Sequence, residues 1–215
     1  MNEREIGDVV RRVLERLDLG DDDTRAESSG VAREPARAAT RAKPEERGGS
    51  DCGCGTRAEV RATVPATWPP RRVAIGADHG GFAYKEDLRR FLEARDVAVD
   101  DCGTSSADSV DYPDFAAAVG RRVRDGSCDA GIVIDGMGIG SAMAANKIHG
   151  VRCAVCHDVA SVLNSREHND ANVLALGANA VPLVLARRMV RLWLETPCAG
   201  DRHLRRVKKI MELER

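Results

Sequence analysis

The chain has 215 residues, 43% of them hydrophobic but only 3% aromatic, with 33 basic and 34 acidic side chains. That is enough apolar matter for one aliphatic core, and too even a charge for the global basic field of a dedicated nucleic-acid binder. No apolar run approaches the roughly 18 residues that span a bilayer, and the N-terminus lacks the apolar stretch and cleavage site of a secretory signal, so a cytoplasmic location is expected.

The first segment, "EIGDVVRRVLERL", carries Ile6, Val9, Val10, Val13, Leu14 and Leu17 on one narrow stripe of a short helix. Residues 20–70 follow with "GDDDTRAESSG", "AREPARAATRAKPEERGGSDCGCG" and "VPATWPP", rich in Gly, Pro, Ala and charge without sustained period, the composition of a disordered linker. The expected organisation is therefore a helix over 1–19, a linker over 20–70 and one domain over 71–215. A short helix with an apolar face at the end of a long linker gains stability only by burying that face on a partner. Seven cysteines, an odd number in a charged chain, point to reduced thiols. Cys52 and Cys54 in "DCGCG" lack a second ligand pair at zinc spacing, so no metal is expected.

From Arg71 onward short apolar runs alternate with helical patterns. Strands are expected at 72–77, 97–103, 130–135, 152–156 and 172–177. Helices are expected near 82–94, 113–125, 138–147, 158–166, 180–196 and 203–214. Alternation of this kind implies right-handed βαβ units. The expected fold is α/β: a Rossmann-like three-layer sandwich with a five-stranded parallel sheet, whose ligands sit at the carboxyl ends of the strands.

The residues just after the strands are "DHGG" (78–81), "DCGTSS" (101–106), "DGMGIGS" (135–141), "HD" (157–158) and "GAN" (177–179). Asp135 poses the sharpest question, because a buried acid is costly unless paired or protonated. It is either wired to a structural partner or does chemistry. The loop after it is neither a dinucleotide fingerprint, since Ser141 stands where the third glycine belongs, nor a Walker loop. Its amides, followed by a helix N-terminus, suit an anionic oxygen, although such loops are as often tight turns. His168, beside Asn169 in "NSREHNDANVLALG", reads alone as a surface or capping residue. Arg202 and Arg206 lie four apart on one helix face, where two guanidinium groups can clamp a phosphate or simply face solvent.

Taken together, "GADHGGFAYKEDL", "DCGTSSADSVDYPDFA", "GIVIDGMGIGSAMAANKIHGVRCAVC", "REHNDANVLALG" and "DRHLRRV" occur in an order and spacing that resembles the ribose-5-phosphate isomerase B family, which includes the galactose-6-phosphate isomerase subunits. The resemblance implies aldose–ketose isomerisation of a sugar phosphate through an enediolate, without metal or organic cofactor. It implies His168 as the ring-opening acid/base and Asn169 as a substrate-orienting group. Amides of the Gly136, Met137, Gly138 and Gly140 loop would stabilise the oxyanion. His79, Arg202 and Arg206 would hold the phosphate, and Asp78 and Tyr112 would line the sugar pocket. The family's pocket is shared between subunits, so a homodimer or tetramer is implied.

Three positions depart from the family pattern. Asp135 stands where the base is commonly cysteine, and Ser141 cannot replace the glutamate a variant branch uses, so Asp135 is expected to be the base, with partial burial raising its pKa from about 3.9. Met137 replaces a threonine that assists ring opening, which suits a substrate that is already linear. Asn179 replaces a phosphate-side arginine. Ribose 5-phosphate is the leading expected substrate. Another four- to six-carbon sugar phosphate, or a non-catalytic sugar-phosphate-binding scaffold, are the alternatives. The N-terminal helix and linker resemble an encapsulation peptide of bacterial microcompartment cargo, which implies a shell-protein partner for residues 1–19 and a location inside such a compartment, beside an enzyme such as an aldolase acting on a pentose phosphate. A helix docked on its own oligomer, or a coiled-coil tether, would look the same in sequence.

Overall fold

The computed structural model describes residues 68–214, and the expected helix and linker over 1–67 lie outside them. Five strands and six helices alternate: β1 Arg72–Ala77, α1 Phe82–Glu93, β2 Ala98–Asp101, α2 Tyr112–Arg124, β3 Ala130–Asp135, α3 Ile139–Ala145, β4 Cys153–Val155, α4 Val159–Glu167, β5 Val173–Gly177, α5 Leu183–Glu195 and α6 Asp201–Met211. All strand pairs are parallel, in the order β2-β1-β3-β5-β4. The expected α/β sandwich is what the chain forms.

Side chains alternate across the sheet with the period of two that a strand imposes. Val73, Ile75, Ile132, Ile134, Leu174 and Leu176 share one core with Leu88 and Leu92 of α1, Val162 and Leu163 of α4, and Met189 and Trp193 of α5. Ala74, Val133, Val173 and Ala175 face the other way, onto Ala116, Val119 and Val123 of α2 and Ala142 and Ala145 of α3. This second face is built of small residues, so α2 sits close. A Cβ at Gly131 would lie 2.6 Å from Val119 Cγ1.

Local signals set the helix starts. Asp158 caps α4 in a reciprocal box with Ser161, its Oδ1 accepting the Ser161 N–H at 2.7 Å. A proline occupies the first turn of α2, where its missing N–H costs nothing. Buried Lys85 of α1 reaches Asp101 at the end of β2, 2.5 Å away. Trp68, the first described residue, meets Trp193 edge-on at a ring separation of 5.4 Å and lies under the guanidinium of Arg166, 3.4 Å from its ring.

The order of the strands creates a switch point. From β1 the chain moves outward to β2, and from β3 it moves outward the other way, so the carboxyl ends of β1 and β3 form the switch point of the sheet, the place where folds of this kind bind ligands.

Candidate active site

The switch point holds one cluster of candidate residues. Asp78 follows β1 and turns back, its Oδ1 accepting the Gly81 N–H at 2.9 Å. Gly80 leaves room for this: a Cβ there would sit 3.3 Å from Asp78 Oδ1 and 3.6 Å from the Gly136 nitrogen. His79 accepts the Val110 N–H on Nδ1 at 3.3 Å. Tyr112, at the start of α2, lays its ring on the glycine loop, where a Cβ on Gly140 would lie 2.6 Å from Tyr112 Cζ. Asn179 donates its N–H to the Gly136 carbonyl at 2.9 Å, and its side-chain Nδ2 is 3.2 Å from where a Gly136 Cβ would be.

Asp135 ends β3 and is 6% exposed. Its partner is its own loop. Oδ1 accepts the Met137 N–H at 2.8 Å and also the Gly138 N–H, while Oδ2 accepts the Ser141 N–H at 2.8 Å. Gly138 makes the wrap possible by adopting φ 79°, a left-handed conformation that glycine takes without steric cost. Burial pushes the Asp135 carboxyl up, but hydrogen bonds from Ser141, Gly138 and Met137 outweigh it and hold the group below the ordinary carboxylate range. The expectation of a raised pKa is therefore corrected. Burial alone is a poor guide where a tight loop aims several N–H groups at the charge. Two of the amides expected to face a substrate oxyanion, Met137 and Gly138, are likewise taken up by Asp135.

A second cluster forms around the end of α4. His168 caps that helix, and its Nδ1 lies 2.9 Å from Asn164 Nδ2. Asn169 Nδ2 donates to both the carbonyl and Oδ1 of Asn164 at 3.3 Å. Since Asn164 Oδ1 accepts, its Nδ2 donates to His168 Nδ1, and the neutral ring then carries its proton on Nε2. The His203 ring of α6 stacks on His168, centroids 4.2 Å apart and planes 9° from parallel. Arg202 donates from Nε to His203 Nε2 at 3.1 Å, and Arg206 lies one turn along the same helix. Behind the turn, Asp170 adopts φ 46° and pairs with Arg152 at 3.0 Å and Arg166 at 2.9 Å.

Within one chain these clusters do not meet. Asp135 sits at the carboxyl end of β3, level with Gly177 of β5. Helix α4 runs from the carboxyl end of β4 back to the amino end of β5, so His168 emerges at the opposite end of the sheet. Five-residue β5 alone spans roughly 15 Å. His79 thus belongs with Asp78, Tyr112, Asp135 and the glycine loop, whereas Arg202 and Arg206 belong with His168 and Asn169.

Sequence reading missed Asn164 and His203. The signal for His203 was present: residues 203, 207 and 210 fall on one stripe of α6, and both His203 and Val207 are buried. Among the described residues no group of three or more His, Cys, Asp or Glu side chains is placed to hold a metal ion. Cys52 and Cys54 lie outside those residues. The remaining thiols are poor nucleophiles where burial acts on them, with Cys128 and Cys156 each pushed up to about 11.

A doubly wound parallel sheet with polar residues and a glycine loop at its switch point defines the class: an α/β domain of the kind that binds small ligands at the carboxyl ends of its strands. The chain belongs to the Ribose/Galactose Isomerase family, whose model matches residues 73–210. It is 43% identical over 144 residues to ribose-5-phosphate isomerase B of Escherichia coli, covering 67% of this chain and 97% of that one. It is 44% identical over 126 residues to D-erythrulose-4-phosphate isomerase 2 of Mycolicibacterium smegmatis, covering 57% of this chain and 83% of that one. The structure of Clostridium thermocellum ribose-5-phosphate isomerase B superposes with a TM-score of 0.66 at 49% identity, over 66% of this chain and 97% of that one.

Proposed function

We propose that this isomerase interconverts an aldose phosphate and its ketose, with ribose 5-phosphate and ribulose 5-phosphate as the leading pair, in sites that two copies of the chain build together. The observation that carries this reading is the separation of the two clusters. Asp135 with its glycine loop and His168 with its arginines lie at opposite ends of one sheet, so a reaction needing both draws each from a different copy. Tyr112, Met137, Ile139 and Met143 are between 40% and 65% exposed around the Asp135 loop, an apolar rim suited to that contact.

In the proposed reaction His168 passes its Nε2 proton to the ring oxygen as the sugar opens and takes the proton of the anomeric hydroxyl in exchange, so the imidazole is neutral before and after. Asp135 then takes a proton from the carbon beside the carbonyl and returns it to the neighbouring carbon, while the hydroxyl proton passes from one oxygen to the other. As Asp135 becomes neutral, the Met137, Gly138 and Ser141 amides lose the charge that holds them and turn to the enediolate oxygen, where charge now develops. Asp78, Tyr112 and Asn169 contact the sugar hydroxyls. His79 from one copy, and Arg202 and Arg206 from the other, meet the phosphate.

One observation favours a second substrate. Met137 stands 49% exposed at the tip of the loop, in the position where the family resemblance implies a ring-opening threonine, and a relative of similar identity is named for D-erythrulose 4-phosphate. A four-carbon sugar phosphorylated at its fourth carbon has no hydroxyl left to close a five-membered ring. It is linear, and its isomerisation needs Asp135 but not the ring-opening step. Turnover across four-, five- and six-carbon sugar phosphates tests both: a rate highest for ribose 5-phosphate supports the first, a rate highest for the tetrulose phosphate the second. Saturable binding with no turnover of any of them would identify a non-catalytic scaffold.

We further propose that residues 1–19 serve as an encapsulation peptide for a microcompartment shell, on the strength of their apolar stripe and the long linker. Deleting them should leave turnover intact and abolish co-purification with shells. Unchanged encapsulation of the truncated chain would refute this.

A further inference from the structure

The second cluster contains a residue with no role in the proposed reaction. His203 is 5% exposed, lies parallel to His168 at 4.2 Å, and accepts on Nε2 the Nε proton of Arg202. In the neutral ring this acceptor role puts the proton on Nδ1, which is buried with no hydrogen-bond partner among the described residues. A cationic His203 would face His168, Arg202 and Arg206, with Glu167 offsetting them in part, and burial together with those neighbours disfavours the charged form. The ring is thus a neutral, flat platform between two groups with separate tasks, an exposed guanidinium on one side and the His168 imidazole on the other.

We propose that His203 is a positioning residue that couples anion binding at Arg202 to the orientation of the His168 ring. The proposal rests on the reading of His168 as the ring-opening acid/base and of Arg202 as a phosphate ligand. Arg202 and His168 each contact His203 through a different part of its ring, the edge and the face. When an anion draws the outer guanidinium nitrogens of Arg202, the shift passes through its Nε to the edge of His203 and, through the stack, to the plane of His168. Asn164 fixes the His168 ring at Nδ1 only, so the ring can still swing about that contact. The stack on His203 removes this remaining freedom. A phosphorylated substrate would then meet an acid already aimed, whereas the unphosphorylated sugar would not.

Imidazole NMR of the full chain at fixed pH tests this directly, because it needs no turnover. Inorganic phosphate is expected to shift the His168 ring signals in the wild-type protein. In His203→Phe, which keeps an aromatic face but cannot accept from Arg202, the shift should disappear. In His203→Gln, which can accept but cannot stack, the shift should disappear as well, while the Nε2–H tautomer that Asn164 sets stays as it is. Kinetics give a second readout: His203→Phe should lower kcat on ribose 5-phosphate roughly tenfold or more, part of the 10²–10⁴ that a positioned acid/base supplies, with KM nearly unchanged and a shifted acidic limb of the pH profile. A wild-type phosphate response at His168 in both variants would overturn the coupling. A wild-type chain that shows the NMR coupling yet turns over no sugar phosphate would overturn the isomerase reading alone.

Discussion

Asp135 and His168 belong to one sheet and stand at its opposite ends. The first is paired with Gly177 at the carboxyl end of β5, and the second closes the helix that enters β5 from its amino end. A strand is rigid at this length, so no side-chain motion brings the two together. A site that needs both, as proposed above, would therefore take each from a different copy of the chain.

Asp135 is as much a structural tether as a candidate base, and the two roles separate by pH. Asp135→Asn must set an NH₂ group against at least one loop N–H, which should cost about 1–3 kcal/mol at pH 7. The folded carboxyl titrates below the ordinary value of about 3.9. Its contribution is therefore complete above that value and is lost as pH falls through the lower folded value. Urea unfolding at pH 7 and again below pH 4 should show the gap between wild type and variant closing in acid. An equal gap at both pH values would mean that the charge is not what holds the loop.

Two glycines of the loop separate backbone strain from contact with Tyr112. Gly138→Ala forces a side chain into φ 79° with its Cβ 3.0 Å from the Leu176 carbonyl carbon, and should destabilise by about 1–2 kcal/mol from the left-handed conformation alone. Gly140→Ala meets the Tyr112 ring first, a side chain 40% exposed at the surface. It should change stability by less than about 0.5 kcal/mol and act on substrate affinity. Thermal unfolding alongside KM checks both; a Gly140→Ala variant with unchanged KM would remove Tyr112 from the pocket.

Asp170 holds the turn that presents His168 and Asn169. Its carboxylate is buried between Arg152 and Arg166, and burial holds Arg166 below its ordinary range. Asp170→Asn keeps a residue that tolerates φ 46° and removes only the charge, leaving two buried guanidinium groups short of a partner. A loss of about 3–5 kcal/mol is expected, read by denaturant unfolding. A loss under about 1 kcal/mol would show that water, not Asp170, balances the arginines.

The elements were legible because each carries its own period. Strand bounds agree closely for β1 and β3, where apolar runs end abruptly at Ala77 and Asp135. They shrink for β2 and β4, where the flanking residues 97, 102, 103, 152 and 156 lie in loop rather than strand. Asp135 was legible as an acid in need of a partner, but not that the partner is backbone: amides leave no trace in composition, and only the left-handed turn at Gly138 aims them. That His168 precedes a strand was plain from chain order and already placed it away from the carboxyl ends. His203 was hidden because its neighbours Arg202 and Arg206 carry the conspicuous charge, while its role depends on a face that only the folded α6 turns inward.

Mixing two inactive variants tests the shared site most directly. Asp135→Asn and His168→Asn should each turn over poorly. When co-refolded in equal amounts, half the dimers are mixed, and each of these has one intact site, so about a quarter of wild-type activity should return. A mixture no more active than its parents would contradict a site built from both ends of the sheet by two copies of the chain.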